Sequence, residues 1–405
     1  MNQLDMHGKF ETIRRMLNPE VMQDLETPLQ QLPMRKNLDK IRGCLIGGAS
    51  GDALGYPIEF SSEKDIFSEY GEEGITDYVL RGGKALVSDD TQMTLFTANG
   101  ILYATTRWFL NGLLGPYPDY ISLAYRNWYQ TQTEKFPLKD SPKKCCWLLN
   151  DPRMFASRAP GNTCLSAIAS GKKGSPEKPI NDSKGCGGVM RAAPLGLYFE
   201  PSPTLDLMGA DTAALTHGHP LGYLPAAMLV HIISLVSHNS SITLQEAVAD
   251  GRLAMERLFA GTKYLPDFLS LIDRAVALSE MDMGDLHAIH QLGEGWTGEE
   301  TLAIAIYCSL KYAGDFEKAI ITAVNHGGDS DSTGAVTGNI LGAYLGLSGI
   351  PAKFIYRLEL EDIILELAAD LFHDCCIDGY TPPETRAEKT WYDKYAAVNF
   401  RISQP

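Results

Sequence analysis

The stretch Gly327-Gly328-Asp329-Ser330-Asp331-Ser332-Thr333-Gly334-Ala335-Val336-Thr337-Gly338-Asn339-Ile340-Leu341-Gly342-Ala343-Tyr344-Leu345-Gly346-Leu347 decides how this chain is read. Its second half is apolar at helical spacing, with Gly334, Gly338 and Gly342 on one face at steps of four. Each glycine costs a helix roughly 1 kcal/mol of propensity, so three in register need a compensating contact. A face without side chains lets another backbone approach closely, and the pattern predicts a central helix over 332–347. The first half puts Asp329 and Asp331, flanked by hydroxyls, at the start of that helix.

A second segment has the same design. Ser88-Asp89-Asp90-Thr91 precedes an apolar-periodic run over about 90–105. Ser and Asp cap helix N-termini and answer the helix dipole, which explains one such cluster without any ligand. Two clusters suggest more. Four carboxylates with neighbouring hydroxyls form a hard oxygen donor set for one or two Mg²⁺ or Mn²⁺ ions, and without a cation they would repel each other. For the clusters to share a site, Asp89 and Asp329, 240 positions apart, must meet, so the chain between them belongs to one folded unit.

Helical patterns recur at about 207–215, 221–237, 244–260, 299–312, 315–325 and 360–372, while alternating strand patterns are scarce. The fold class expected is all-α. The polar stretch 171–185 is a loop rather than a domain linker, since motifs lie on both sides of it. Residues 1–37 differ from the body 38–405: five basic and five acidic side chains cancel, and Met6, Phe10, Ile13 and Leu17 draw a short apolar stripe. This extension either packs on its own core or docks on a partner.

Composition excludes other classes. The 405 residues, 44% apolar, can bury a large core. With 35 basic against 50 acidic residues the formal charge is −15, which disfavours nucleic acid or an anionic membrane surface as partner. Eight cysteines without CxxC or framework spacing fit reduced thiols and a cytoplasmic location. Met1–Phe10 has no apolar signal region. The most apolar run, Leu221–Val236, is shorter than a membrane span and holds Pro225 and His231, so no insertion is expected. Zinc is disfavoured, His217-Gly218-His219 being the nearest approach to a ligand spacing. Pro160-Gly161-Asn162-Thr163 and Gly185-Cys186-Gly187-Gly188 are turns suited to backbone N–H contacts with phosphate, or simply structural turns. Cys186 shows no paired acid or base that would make it a nucleophile.

Taken together these motifs resemble the ADP-ribosylglycohydrolase family. The matching pieces, in order, are Ile41–Gly55 (IRGCLIGGASGDALG) with Glu59 after it, Ser88–Thr91, Gly185–Pro194 (GCGGVMRAAP), Thr216-His217, Gly295-Trp296 and Gly327–Gly338. The resemblance implies a compact orthogonal all-α domain with a binuclear metal cleft, holding two Mg²⁺ (or Mn²⁺) and cleaving a glycosidic bond to ADP-ribose. By the same resemblance Ser88, Asp89, Asp90, Asp329, Asp331 and Ser332 are the metal ligands. ADP-ribose would contact Gly161, Asn162, Thr163, Ser183, Lys184, Gly185, Cys186, Gly187 and His217, although the family often has asparagine where Cys186 stands. Glu59, Asp90 and Asp331 are catalytic candidates, with the general base left open among them. Some arginine-cleaving relatives carry an acid before the glycine of the first turn, where this chain has Ala159-Pro160. The substrate expected is an ADP-ribosylated protein, arginine-linked by preference. The competing expectation is an immunity protein that occludes an ADP-ribosyltransferase toxin through residues 1–37.

Overall fold

The computed structural model describes residues 36–112, 115–138 and 145–397. The extension falls almost wholly in 1–35, so its apolar stripe, and the docking and immunity expectations built on it, lie outside the described residues. Asn37 ends that segment by accepting the N–H groups of Asp39 and Lys40 on its side chain, and α1 (Leu38–Gly55) starts there.

Two pieces follow α1 closely: a single 3₁₀ turn over Tyr56–Ile58 and the short α2 (Glu63–Tyr70). A hairpin pairs Leu80 with Ala85 and Arg81 with Lys84, and these two short strands are the only named strands among the described residues. Then come α3 (Asp89–Asn111), α4 (Tyr117–Thr133) and α5 (Asn162–Ala169). Past the loop at 171–185 the chain forms α6 (Ala193–Tyr198), α7 (Pro203–Ala214), α8 (Pro220–His238), α9 (Leu244–Leu258) and α10 (Leu265–Ser279). The C-terminal part adds α11 (Asp285–His290), α12 (Gly298–Lys311), α13 (Phe316–Val324), α14 (Ser330–Leu345), α15 (Ala352–Ile355), α16 (Glu361–His373) and α17 (Arg386–Trp391). The all-α class stands, and every helix expected from periodicity is present within a few residues. The long helices not anticipated from periodicity are α1, which is buried nearly all round and so shows no one-sided stripe, and α4 and α10, whose stripes of Ile121, Ala124, Tyr125 and Trp128 and of Leu265, Phe268, Leu269 and Ile272 are regular.

The glycine face finds its partner in α1. Gly43, Gly47 and Gly51 lie against Gly342, Gly338 and Gly334, so the two helices run antiparallel in backbone contact. A Cβ at Gly338 would overlap the Gly47 carbonyl oxygen and stand 2.5 Å from its carbon. The Asn339 amide closes the seam by donating to the Cys44 carbonyl at 2.9 Å. One continuous hydrophobic core extends from Ile41 to Ala396 and includes residues on both sides of the 171–185 loop.

Helix α8 is longer than its apolar run suggests. At 19 residues it is long and apolar enough to cross a membrane by length and composition, yet 94% of its most apolar window is buried inside the fold. It packs against α6, α7, α9, α12 and α14, the position of a core helix.

Candidate active site

Side-chain caps at the helix starts place the acids. Ser88 is the N-cap of α3 and accepts the Asp90 N–H at 3.2 Å, so Asp89 and Asp90 occupy the first turn. Asp329 is the N-cap of α14 and accepts the Ser332 N–H at 3.3 Å. The capping role is therefore real at both ends, but it does not exhaust the clusters. The Ser332 hydroxyl donates to Asp90 Oδ2 at 2.8 Å across 242 residues of chain, which joins the two helix starts into one site. The α1–α14 seam supplies the third element: Gly55 lies against Ser330, and the turn after it sets Glu59 beside α14.

Glu59, Asp329 and Asp331 each offer a carboxylate oxygen within 4.8 Å of the other two, and all three are buried. Asp89 and Asp90 are buried as well. Burial, with the Asp331 charge next, holds Asp89, Asp90 and Asp329 well above the usual carboxylate range. The same causes push Glu59 up to about 10, and burial also raises Asp331. Such a group is unfavourable unless protons or cations neutralise it. The adjoining cations do not: Arg158 is bound to Glu359 and Lys184 to Glu299, each at 3.0 Å. Glu59 Oε2 is buried with no hydrogen-bond partner. A buried all-oxygen donor set that the neighbouring cations leave uncompensated fits a hard divalent cation.

The glycine-bearing turns converge on the same place. The Gly161 N–H points at Asp89 Oδ2, 3.4 Å away, and Gly161 and Asn162 are exposed at the start of α5. Thr163 and Ser183 share a hydroxyl–hydroxyl hydrogen bond of 3.2 Å that ties the two turns together. The Cys186 thiol packs against Asp329 and Ser332, and burial raises its pKa, which makes it a poor nucleophile. Lys184 is exposed, and its side chain extends to Glu299. His217 stands behind Gly185 and Gly187 rather than on an open face; a Cβ at Gly187 would come within 2.8 Å of its ring. Its Nδ1 is 2.8 Å from the Thr216 hydroxyl, which in turn accepts from Arg191 at 2.6 Å. Burial, then Arg191, push the imidazole down to about 3, so it is neutral.

With this geometry, a match of residues 33–379 to the ADP-ribosylglycohydrolase family covers every element of the site. The chain belongs to that family. It is a glycosidic-bond hydrolase of the class that acts on ADP-ribose conjugates. Among its relatives is the ADP-ribosylarginine hydrolase Tri1 of Serratia proteamaculans, 24% identical over 86% of this chain and 83% of that protein. Another is the ADP-ribosylhydrolase ARH3 of Bos taurus, 24% identical over 80% of this chain and 90% of that one. A solved ADP-ribosylglycohydrolase-related protein complex superimposes with a TM-score of 0.55 at 25% identity, covering 83% of this chain and 98% of the other.

Two features of this ADP-ribosylglycohydrolase site were not assigned a role from the sequence. Asp52, fully buried on α1, accepts the N–H of Ser88 at 2.9 Å and of Thr91 at 3.1 Å, and also binds the Thr91 hydroxyl. Burial and the Asp331 charge push it up to about 7. It fastens the acid-bearing end of α3 to α1; its signal was the acid within an otherwise apolar glycine helix. The other is the loop 293–298. Its Glu294 carbonyl accepts the Asp329 N–H at 2.8 Å, its Trp296 carbonyl accepts the Cys186 N–H at 3.2 Å, and Thr297 bridges to Gly185. Gly295 has φ +83°, and a Cβ there would meet Thr333 at 2.7 Å. This loop holds the substrate turn and the α14 cap at a fixed separation.

Proposed function

We propose that this chain is a divalent-metal-dependent hydrolase, using two Mg²⁺ (or Mn²⁺), that removes ADP-ribose from an arginine side chain of a modified protein. The observation that carries the reading is the joining of the two acid-bearing helix starts through Ser332 and Asp90, with Glu59 closing the group. Ser88, Asp89, Asp90, Asp329, Asp331 and Ser332 would hold the ions. When bound, the ions supply charge that orients the ribose hydroxyls and acidifies water. The name of the Serratia relative supports the arginine linkage.

The rest of the chemistry belongs to the protein's own groups. The turns at 161–163 and 183–187, which carry the Thr163 and Ser183 hydroxyls, bind the diphosphate. That leaves the distal ribose facing the acids. Cleavage proceeds through an oxocarbenium-like state: water adds to the anomeric carbon, the bonding pair leaves with the arginine nitrogen, and the proton lost by water balances the one that nitrogen takes up. Three carboxylates compete for the water's proton, and their bonding separates them. Asp90 Oδ2 already accepts from Ser332, and Asp331 Oδ1 accepts the Ser332 N–H at 2.9 Å. Glu59 Oε2 accepts nothing, and with bound cations offsetting the carboxylate charges that help to raise its pKa, it is the group left to act as base. Free thiols at all eight cysteines fit the cytoplasmic placement we propose with this function.

The test is release of ADP-ribose from arginine-, serine- and aspartate-linked conjugates, with Mg²⁺ and with chelator. Mg²⁺-dependent release from the arginine conjugate is expected, abolished in Glu59→Gln with ADP-ribose binding retained. Release unaffected by chelation overturns the metal; preference for another conjugate overturns the linkage.

A further inference from the structure

The rim of the site carries an aromatic pair that nothing above uses. Phe60, the residue after Glu59, is 76% exposed, and Trp296, in the loop that holds the Asp329 cap, is 37% exposed. Their rings stack with centroids 5.8 Å apart and planes 19° from parallel. The pair therefore spans the two segments that flank the Glu59–Asp329–Asp331 group. A phenylalanine so exposed gains little from burial, and exposed aromatic surface beside a buried polar site marks a contact for something else.

Charge selects what that contact is. Asp52, Glu59, Asp89, Asp90, Asp329 and Asp331 are six carboxylates, formally more than two divalent ions neutralise, and the exposed Glu294 adds to them. The cations on the neighbouring loops, Arg158 and Lys184, are occupied by Glu359 and Glu299. The guanidinium held at the anomeric carbon, which leaves as guanidine and regains its charge on taking up a proton, would find a negative field and an indole face, the combination that favours guanidinium stacking. The diphosphate turns at 161–163 and 183–187 are separate segments, with their own N–H and hydroxyl groups.

We propose that Phe60 and Trp296 form the platform that receives the acceptor guanidinium, and so set the preference for arginine conjugates; this rests on the hydrolase reading above. The pair discriminates between acceptors and leaves the grip on ADP-ribose untouched. Trp296→Ala keeps the backbone bonds of its loop, because the contact to Cys186 is made by the carbonyl.

The experiment compares wild type, Trp296→Ala, Trp296→Tyr and Phe60→Ala, all Mg²⁺-loaded, on arginine- and serine-linked ADP-ribosyl peptides, with calorimetric binding of free ADP-ribose alongside. Trp296→Ala should lose about tenfold in kcat/KM on the arginine peptide, the size of one good cation–π contact. It should lose less than twofold on the serine peptide, bind ADP-ribose with unchanged Kd, and be largely rescued in Trp296→Tyr. Phe60→Ala, at an exposed position, gives the same comparison if the tryptophan variant does not fold. Equal losses on both peptides, an unchanged arginine rate, or weakened ADP-ribose binding each overturn the platform. The wild-type measurements test the underlying reading separately: no release from either peptide sinks the hydrolase assignment, and release from serine alone sinks the arginine linkage.

Discussion

Substituting Gly338 by alanine adds one carbon to the helix seam that positions the acids. The new Cβ would overlap the Gly47 carbonyl oxygen, lie 2.5 Å from its carbon and 3.0 Å from the Gly48 nitrogen. Non-bonded carbons rest about 3.5 Å apart, so α1 and α14 must separate by about 1 Å, and a gap of that size forfeits up to half of the dispersion well of the contacts it opens. Overpacking costs about 1–3 kcal/mol when side chains can give way. Here the obstacle is backbone, so about 3 kcal/mol is the realistic figure, offset by the ~1 kcal/mol that alanine gains in helix propensity. A net loss of ~2 kcal/mol lowers the melting temperature by roughly 2–3 °C in a folded unit of this length. Activity should suffer more than stability. Glu59 follows α1 and Asp331 begins α14, and a 1 Å misplacement of reacting groups can cost about 10²-fold in rate. Calorimetry, circular dichroism and ADP-ribose release would be measured beside Gly314→Ala, a position facing open space that should be neutral or slightly stabilising. If Gly338→Ala matches Gly314→Ala in melting temperature and rate, the seam does not position the site.

Other outcomes follow from the acids and from a second buried group. Asp90→Ala and Asp331→Ala should each lower turnover by about 10³-fold or more with normal helix content, if the carboxylates are ligands; a loss of only ~1 kcal/mol in stability with activity retained would leave them as first-turn acids that answer the helix dipole. Saturating Mg²⁺, at about a hundredfold its Kd, should stabilise the protein by about 2.7 kcal/mol per ion bound over the chelated form. Because the site carboxyls are raised in the metal-free protein, that gap should widen as pH rises and their protons leave, and a gap independent of pH would count against site-bound metal. Burial lowers His231, but Asp206 at 3.0 Å and Asp250 at 3.5 Å outweigh it and push the imidazole up to about 10. Its stabilisation is complete below the unfolded value of about 6.5 and is lost as pH rises through 10, so the difference in melting temperature between wild type and His231→Gln should shrink from pH 6 to pH 10.5.

Local chemistry was the legible part of this chain. The stripe Gly334, Gly338 and Gly342 announces a backbone contact because no other benefit offsets three glycines in a helix, and the acids at 89–90 and 329–331 announce shared neutralisation because isolated caps do not need so many. What local pattern cannot supply is the partner across the contact. Gly43, Gly47 and Gly51 have the same four-residue spacing, yet nothing within Ile41–Gly55 says that its glycines face those of α14 rather than another helix. Asp52 was obscure for the same reason: its partners, Ser88 and Thr91, are close only once α1 and α3 are packed. The loop 293–298 has no periodicity, and its function lies in carbonyls that every residue type possesses.

The two kinds of information meet in how the site is assembled. A group of buried carboxylates is self-repelling, so the scaffold that collects them must be held by contacts that owe nothing to their charge. The α1–α14 seam meets that requirement: it is apolar and so close that small shifts are resisted by backbone overlap rather than by side-chain rotamers. The same rigidity explains why the capping roles of Ser88 and Asp329 persist beside their site roles. A cap fixes the orientation of the helix start before any ligand arrives, which spares the protein the cost of ordering the acids when a cation and the substrate bind.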